Sequence, residues 1–220
     1  MYKCCIFDLD GTLINSIKAI SYTANLTLKK YGLGPVDEEH YKLFVGDGYK
    51  KLIERALIYC GDKNLNNYED AIVTYSNYFK IHSMHEVKAY DGIKAMLSYL
   101  KEKNIKIAVL SNKPHARAID NVNEIFGYDF FDIICGEKAN IKIKPDPEGA
   151  LIIAKKMSVL QTDCLYIGDT NTDMKTGINA GMDTVGVTWG FRNREELEGY
   201  SPKYIIDKPE EIIKIMKNKK

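Results

Sequence analysis

Short apolar runs that end in polar turns recur along the chain, and this pattern predicts buried strands. Between these runs, apolar positions repeat with the period of a helix. The predicted strands are residues 4–7, 105–110, 131–135, 164–167 and 184–187, and the predicted helices between them are residues 92–103, 117–126, 147–157 and 173–180. Because strands alternate with helices, we predict an α/β fold with a parallel sheet that helices cover on both faces.

Residues 15–87 interrupt this alternation. They contain no convincing apolar strand, whereas several amphipathic segments in them suit helices. These segments are residues 17–31, 38–44, 49–59 and 68–82, and glycine-containing turns separate them. We therefore predict an all-helical domain at residues 15–87, inserted into a core domain formed by residues 1–14 and 88–220.

The length, charge and cysteine content of the chain limit its classes of partner. With 220 residues, the chain has room for one large domain or for one domain inserted in another. The formal net charge of +1, with both signs interleaved, argues against nucleic acid or an anionic membrane as partner. The cysteines are odd in number and several lie in apolar runs, so we expect reduced thiols in a cytoplasmic protein.

Two pairs of aspartates follow two of the predicted strands. Asp8 and Asp10 follow the first strand, and Asp169 and Asp173 follow the strand at residues 164–167. Because the carboxyl ends of parallel strands meet at one edge of a sheet, we expect these carboxylates to lie close together. Either pair alone would suit an acidic turn or a helix N-cap. Together they repel one another unless a cation neutralises them, and an all-oxygen ligand set favours Mg²⁺.

Two further segments carry groups that suit a phosphate. Ser111 and Asn112 follow the strand at residues 105–110 and offer a hydroxyl and backbone donors near the start of a helix. Lys144 precedes Pro145, which restricts Lys144 to an extended backbone and so directs its side chain. Each residue also has an ordinary explanation, which is an N-cap for Ser111 and an exposed surface position for Lys144.

These segments resemble, in order and spacing, the motifs of the haloacid dehalogenase superfamily, which are DxDGT, a Ser or Thr, a Lys and GDxxxD. The matching residues are 8–12, Ser111, Lys144 and 168–173. The resemblance covers essentially the whole chain. It implies a Rossmann-like core with a helical cap domain inserted after the first motif, which agrees with the interruption at residues 15–87.

The resemblance also implies a mechanism. Asp8 would attack phosphorus and form an aspartyl-phosphate, and Asp10 would protonate the leaving oxygen and later deprotonate the attacking water. Ser111 and Lys144 would hold the oxygens of the transferred phosphoryl group. The magnesium ligands would be the Asp8 carboxylate, the backbone carbonyl of Asp10, Asp169 and, in an assisting role, Asp173. Asp10 argues against dehalogenation, because dehalogenating members lack this second aspartate.

Several local runs are similar to phosphoglycolate phosphatases, namely residues 45–48, 111–114, 187–191 and 204–207. This similarity makes 2-phosphoglycolate the leading substrate. In caps of this type, cap residues bind the far end of the substrate, so Lys50, Lys51 and Arg55 are candidate partners of a carboxylate or a second phosphate. Asn112 is a candidate substrate-binding residue beside Ser111. Long cations on a helix surface are otherwise simply solvated.

Other activities remain open on the sequence alone. A pyrophosphatase or nucleotidase would use the same residues, a sugar-phosphate mutase is a third possibility, and a phosphoacceptor signalling module is a different class. Phosphoacceptor signalling modules lack an acidic residue two positions after the aspartate that accepts the phosphoryl group, so Asp10 favours an enzyme. We expect a small phosphorylated metabolite as the partner, and either a monomer or a homodimer.

Overall fold

The structure, a computed structural model, describes residues 1–218. It divides the chain into two compact units: residues 1–15 together with the chain from residue 89 onward, and residues 16–88. The domains predicted from the sequence, residues 1–14 with 88–220 and residues 15–87, differ from these units by one residue at each boundary. The smaller unit is thus inserted in the sequence of the larger one, shortly after its first strand.

The regular elements alternate along the larger unit and are helical in the smaller one. The strands, in chain order, are β1 (Cys4–Phe7), β2 (Ile14–Asn15), β3 (Lys88–Ala89), β4 (Lys106–Pro114), β5 (Ile133–Glu137), β6 (Cys164–Gly168), β7 (Asp183–Val187) and β8 (Tyr204–Ile206). The helices are α1 (Ile17–Lys30), α2 (Glu38–Phe44), α3 (Tyr49–Tyr59), α4 (Tyr68–His82), α5 (Ile93–Glu102), α6 (His115–Phe126), α7 (Glu148–Lys156), α8 (Asn171–Asn179), α9 (Arg194–Glu198) and α10 (Glu210–Asn218).

Six strands form one sheet in the order β5-β4-β1-β6-β7-β8, and each neighbouring pair is parallel. The short strands β2 and β3 pair separately. β1 lies inside the sheet, with Ile6 opposite Ala108 on one side and Tyr166 on the other. The chain passes from β1 to β4 and β5 on one side and returns later to β6 on the other. The carboxyl end of β1 is therefore a topological switch point, where open α/β sheets bind ligands.

Helices cover both faces of this sheet. Successive side chains of a strand point to opposite faces, so neighbouring residues of β1 contact helices on opposite sides. Cys4 and Ile6 belong to a buried cluster that includes Ile153 of α7. Cys5, between them, points the other way, and its Sγ lies 3.9 Å from Sδ of Met216 in α10. All four residues of β1 are buried, as expected for a strand with helices on both sides.

Helices α1 to α4 build the smaller unit, and their apolar faces pack together. Its buried side chains include Leu28, Tyr41, Ile53, Leu57 and Tyr75. Asp37 caps α2 by accepting a hydrogen bond from the backbone N–H of His40. The predicted class, a Rossmann-like parallel sheet with helices on both faces and an inserted helical domain, is confirmed.

The boundaries of two strands, β4 and β5, differ from the prediction by two residues or more. β4 continues to Pro114 instead of ending at residue 110, so Ser111 and Asn112 lie inside a strand. α6 begins at His115, two residues before the predicted start. β5 begins two residues later than predicted, at Ile133. The short elements β2, β3, α9 and β8 are not among the predicted ones. Within residues 1–218, no helix combines the length and the apolar character that crossing a bilayer requires.

Candidate active site

Three buried aspartates converge at the carboxyl ends of β1 and β6. Asp8 follows β1, Asp169 follows β6, and Asp173 lies in the first turn of α8. Each offers one carboxylate oxygen, and these three oxygens lie within 4.8 Å of one another. The structure therefore brings three of the four predicted aspartates together at the switch point of the sheet.

Asp169 is held by donors from two other loops. Its Oδ1 accepts a hydrogen bond of 2.8 Å from Thr12 Oγ1, and its Oδ2 accepts one of 2.8 Å from the backbone N–H of Phe191. Trp189 Nε1 donates to the backbone oxygen of Thr12 at 3.0 Å, which ties these loops together. Gly11 passes so close that a Cβ there would lie 2.3 Å from Asp169 Oδ2, and its φ of +93° also favours glycine.

Asp173 combines a structural contact with one that faces the site. Its Oδ2 accepts hydrogen bonds from Thr170, 3.0 Å from the backbone nitrogen and 2.7 Å from Oγ1, and the two residues form a capping box at the start of α8. Its Oδ1 accepts a hydrogen bond of 2.7 Å from Lys144 Nζ. The N-cap of α8 is Thr170, and Asp173 is the third helical residue of the capping box, so the N-cap explanation does not apply to Asp173 itself. Its other oxygen faces Lys144, and its role in a site stays a prediction.

Lys144 bridges two of the carboxylates. Its Nζ lies 2.7 Å from Asp8 Oδ1 and 2.7 Å from Asp173 Oδ1, and its side chain is 3% exposed. The surface position that is usual for a lysine is thus excluded. Burial alone would lower the pKa of Lys144, but the charges of Asp173 and Asp8 raise it well above its usual range. The two carboxylates therefore favour the ammonium form of Lys144 beside Asp8.

The side chain of Asn112 fixes the backbone of Lys144. Asn112 Oδ1 accepts a hydrogen bond of 2.8 Å from the Lys144 N–H, and Asn112 Nδ2 donates one of 3.0 Å to the Lys144 carbonyl. The side chain that we expected to meet substrate thus holds the loop that carries Lys144. Its predicted contact with substrate stays a prediction.

Replacing Asn112 by Ala would leave both buried backbone groups of Lys144 without these partners. We expect the free energy of unfolding to fall by about 2–6 kcal/mol, because each of the two unsatisfied buried groups costs about 1–3 kcal/mol. Urea unfolding measures this change. Asn64→Ala, at an exposed loop position, is the matched control and should stay near wild type. Equal stabilities of the two variants would contradict a holding role for Asn112.

Asp10 pairs with a lysine that lies outside the predicted site residues. Lys113 Nζ lies 2.7 Å from Asp10 Oδ1, and the side chains are 3% and 17% exposed, respectively. Ser111 is also buried, and its Oγ accepts a hydrogen bond of 3.2 Å from the backbone N–H of Lys113. Ser111 lies within β4, so the N-cap explanation for it does not apply. The Asp10 carbonyl stays a predicted metal ligand.

The three predicted cap residues lie in the helical unit. Lys50 and Lys51 are exposed on α3, and Lys51 pairs with Glu54 at 2.7 Å. Arg55 pairs with Asp47 and donates a hydrogen bond of 2.7 Å to the backbone oxygen of Phe44. Two of the three cations therefore already have partners within their own unit, and their contact with substrate remains a prediction.

The carboxylate cluster carries an excess of negative charge. Burial raises the pKa of Asp8 well above its usual range; Asp173 and Asp169 add to the rise, and Lys144 opposes it. Burial and then Asp173 raise the pKa of Asp169 from 3.8 to about 7. With all groups ionised, three carboxylates and one ammonium leave a formal charge of −2. A divalent cation would balance this charge, so the donor set fits a hard metal ion with oxygen ligands.

The raised pKa of Asp169 predicts how the stability of the metal-free protein depends on pH. Between the unfolded value of 3.8 and the folded value of about 7, the folded protein retains a proton that the unfolded chain has released. Stability therefore falls as the pH rises through this window, by on the order of a few kcal/mol. Urea unfolding in a chelator, between pH 5 and pH 7.5, measures the slope.

Asp169→Asn is the control for this pH effect, because it removes the titrating carboxylate. Burial lowers the pKa of His115, so this histidine contributes a slope of the opposite sign, but it does so in both proteins. The free energy of unfolding of wild type minus that of Asp169→Asn should therefore fall as the pH rises. A difference that is constant over the range would contradict the raised pKa.

Comparisons with known proteins give a consistent family. The model of the haloacid dehalogenase-like hydrolases matches residues 5–187. The chain is 30% identical over 213 residues to the phosphoglycolate phosphatase of Colwellia psychrerythraea, covering 94% of each chain. It is 30% identical over 221 residues to the phosphoglycolate phosphatase of Haemophilus influenzae, covering 98% of each.

A solved structure agrees with these sequence matches. A haloacid dehalogenase-like family hydrolase from Streptococcus pneumoniae superimposes with a TM-score of 0.86 at 25% identity, covering 98% of both chains. The matched region of the family model contains all four motif segments that form the site. The chain therefore belongs to the haloacid dehalogenase-like hydrolase family.

Proposed function

We propose that this hydrolase is a magnesium-dependent phosphatase that hydrolyses a small phosphomonoester, foremost 2-phosphoglycolate, through an aspartyl-phosphate on Asp8. The observation that carries the proposal is the buried Lys144 ammonium between Asp8 and Asp173, beside Asp169 and at the switch point of the sheet. The relatives named phosphoglycolate phosphatase support the choice of substrate.

The site provides two carboxylates with different surroundings for the two roles. Asp8 is buried and touches Lys144, whereas Asp10 is partly exposed and touches Lys113. In the first step an Asp8 oxygen forms a bond to phosphorus, the bond from phosphorus to the leaving oxygen breaks, and Asp10 gives that oxygen a proton. In the second step water attacks phosphorus, Asp10 takes a proton from it, and the bond between phosphorus and Asp8 breaks. Each step is easier than direct displacement.

The remaining groups stabilise charge on the transferred phosphoryl group. Lys144 and Ser111 would bind its oxygens, with Asn112 keeping the Lys144 backbone in place. Asp8, Asp169 and the Asp10 carbonyl would hold Mg²⁺, with Asp173 orienting Lys144; when bound, the ion supplies positive charge at these oxygens. Removing one such electrostatic contact typically costs about 10²–10³-fold in kcat.

The identity of the substrate beyond its phosphate belongs to this proposal as well. 2-Phosphoglycolate carries a carboxylate. Among the three cap cations, exposed Lys50 is our first candidate to bind it, because Lys51 and Arg55 are ion-paired within α3 and its flanking turn. Pyrophosphate and nucleotides would use the same catalytic groups and are the alternative substrates. We assign the enzyme to the cytoplasm, in keeping with the free cysteines of the described chain.

A panel of phosphate-release assays tests the proposal. Phosphoglycolate, pyrophosphate, nucleoside monophosphates and hexose phosphates are compared by kcat/KM with Mg²⁺ and with a chelator. We expect turnover that depends on Mg²⁺ and is fastest with phosphoglycolate. Preference for another compound would change the substrate only, whereas no release from any of them by folded protein with Mg²⁺ would refute the phosphatase.

A further inference from the structure

Lys113 stands out among the buried charges, because neither the sequence motifs nor the proposed chemistry gives it a role. It lies near the end of β4, and its side chain is as buried as that of Lys144, at 3% exposure. Its ammonium meets Asp10 Oδ1 at 2.7 Å. A lysine is almost never buried to this extent without a specific ionic partner, because desolvating the ammonium costs free energy.

The backbone around Lys113 is held firmly. Its N–H donates to Ser111 Oγ at 3.2 Å, and the next residue, Pro114, pairs with Glu137 of β5. Gly136 packs so closely that a Cβ there would lie 2.6 Å from the carbonyl oxygen of Lys113. The ammonium is thus attached to a fixed part of the sheet, and Asp10 receives a fixed partner.

The two ends of β4 show that this burial is specific. Lys106, at the start of the strand, has a side chain that is 51% exposed and only a loose contact with Asp132, at 3.6 Å. Lys113 lies at the end of the strand where the aspartates gather, and it reaches Asp10, whereas the ion pairs of Lys144 in the described chain include Asp8 as their aspartate of the first motif. Each of the two buried lysines therefore serves a different carboxylate of the first motif.

We infer that Lys113 is a positioning residue for the reaction: its ammonium holds the Asp10 carboxylate where it exchanges protons with the leaving oxygen and with water. This inference rests on the proposed function, in which Asp10 is the acid and base. Proton transfer requires the two heavy atoms to lie about 2.6–3.2 Å apart, so an Asp10 side chain that rotates freely would meet this condition only part of the time.

A double-mutant cycle tests the inference. Lys113→Met keeps the length of the side chain and removes its charge, and Asp10→Asn removes the proton exchange. We expect Lys113→Met to lower kcat by about tenfold to a hundredfold with little change in KM, which is part of the 10²–10⁴-fold that a positioned acid or base supplies. In the Asp10→Asn background, the same change should lower kcat by no more than about twofold, because the two residues act as one unit. Lys113→Arg should recover part of the lost kcat.

Lys106→Met, at the exposed end of the same strand, is the matched control and should leave kcat unchanged. Circular dichroism establishes that each variant is folded. If Lys113→Met lowered kcat by the same factor in the wild-type and Asp10→Asn backgrounds, the inference would be overturned. A rise in KM for phosphoglycolate with unchanged kcat would also overturn it, and would instead assign Lys113 to the substrate's carboxylate. These outcomes presuppose wild-type turnover; a wild type inactive on the whole panel would refute the proposed function itself.

Discussion

We expect Asp8→Asn to lower kcat/KM by on the order of 10⁴-fold or more, because in the proposed mechanism it removes the oxygen that bonds to phosphorus and no neighbouring group replaces it. The variant should remain folded. Burial and the charge of Asp173 raise the pKa of Asp8, so an ionised group at this position opposes folding of the metal-free protein, and the neutral amide does not add to that cost. Phosphate release, together with urea unfolding, measures both expectations.

Asp10→Asn is the matched variant, because it alters the neighbouring carboxylate and leaves the nucleophile in place. With an aryl phosphate, whose leaving group needs no proton, this variant should still transfer the phosphoryl group to Asp8 and then release it slowly. Acid quenching should trap labelled phosphate on Asp10→Asn and none on Asp8→Asn. Label on Asp8→Asn, or normal turnover of phosphoglycolate by Asp10→Asn, would contradict the assignment of these two aspartates.

The parts of the site that follow strand ends could be predicted from the sequence. Asp8 and Asp169 directly follow short apolar strands, and parallel strands that alternate with helices bring such ends to one edge. The place of Asp173 could be predicted from the helix that begins after β6, because side chains in the first turn of that helix lie near the end of the preceding strand. Local patterns and topology thus account for the carboxylate cluster.

The partners of these groups could not be predicted, because they depend on contacts between distant segments. The sequence pattern predicted that β4 ends at residue 110, which would place Lys113 in a loop. Its burial and its ion pair with Asp10 are evident only from the three-dimensional structure. Thr12 and Phe191 are far apart in sequence, yet both donate to Asp169. Asn112 suits a phosphate by residue type, whereas the fold directs its amide to the Lys144 backbone. Tertiary packing decided each of these cases.

Lys144→Met should lower both activity and stability, for one electrostatic reason. The change removes the only ammonium that touches Asp8 and Asp173 among the ion pairs of the described chain, and leaves both carboxylates buried. Removing one partner of a buried ion pair costs about 3–5 kcal/mol of unfolding free energy. We expect kcat to fall by about 10²–10³-fold, because a charge beside the phosphoryl oxygens is lost as well. Urea unfolding in a chelator and phosphate-release kinetics measure the two effects.

Magnesium separates the two consequences of Lys144→Met. A cation that binds the folded protein stabilises it by mass action, and the carboxylates freed from Lys144 gain most from a positive charge. Mg²⁺ should therefore raise the stability of Lys144→Met more than that of wild type, whereas kcat stays low because the phosphoryl oxygens still lack the ammonium. Lys142→Met is the control, since its side chain is 75% exposed and its contact with Asp146 spans 3.4 Å. A Lys144→Met protein as stable as wild type without metal would contradict the ion-pair argument, and one with wild-type kcat would remove Lys144 from the chemistry.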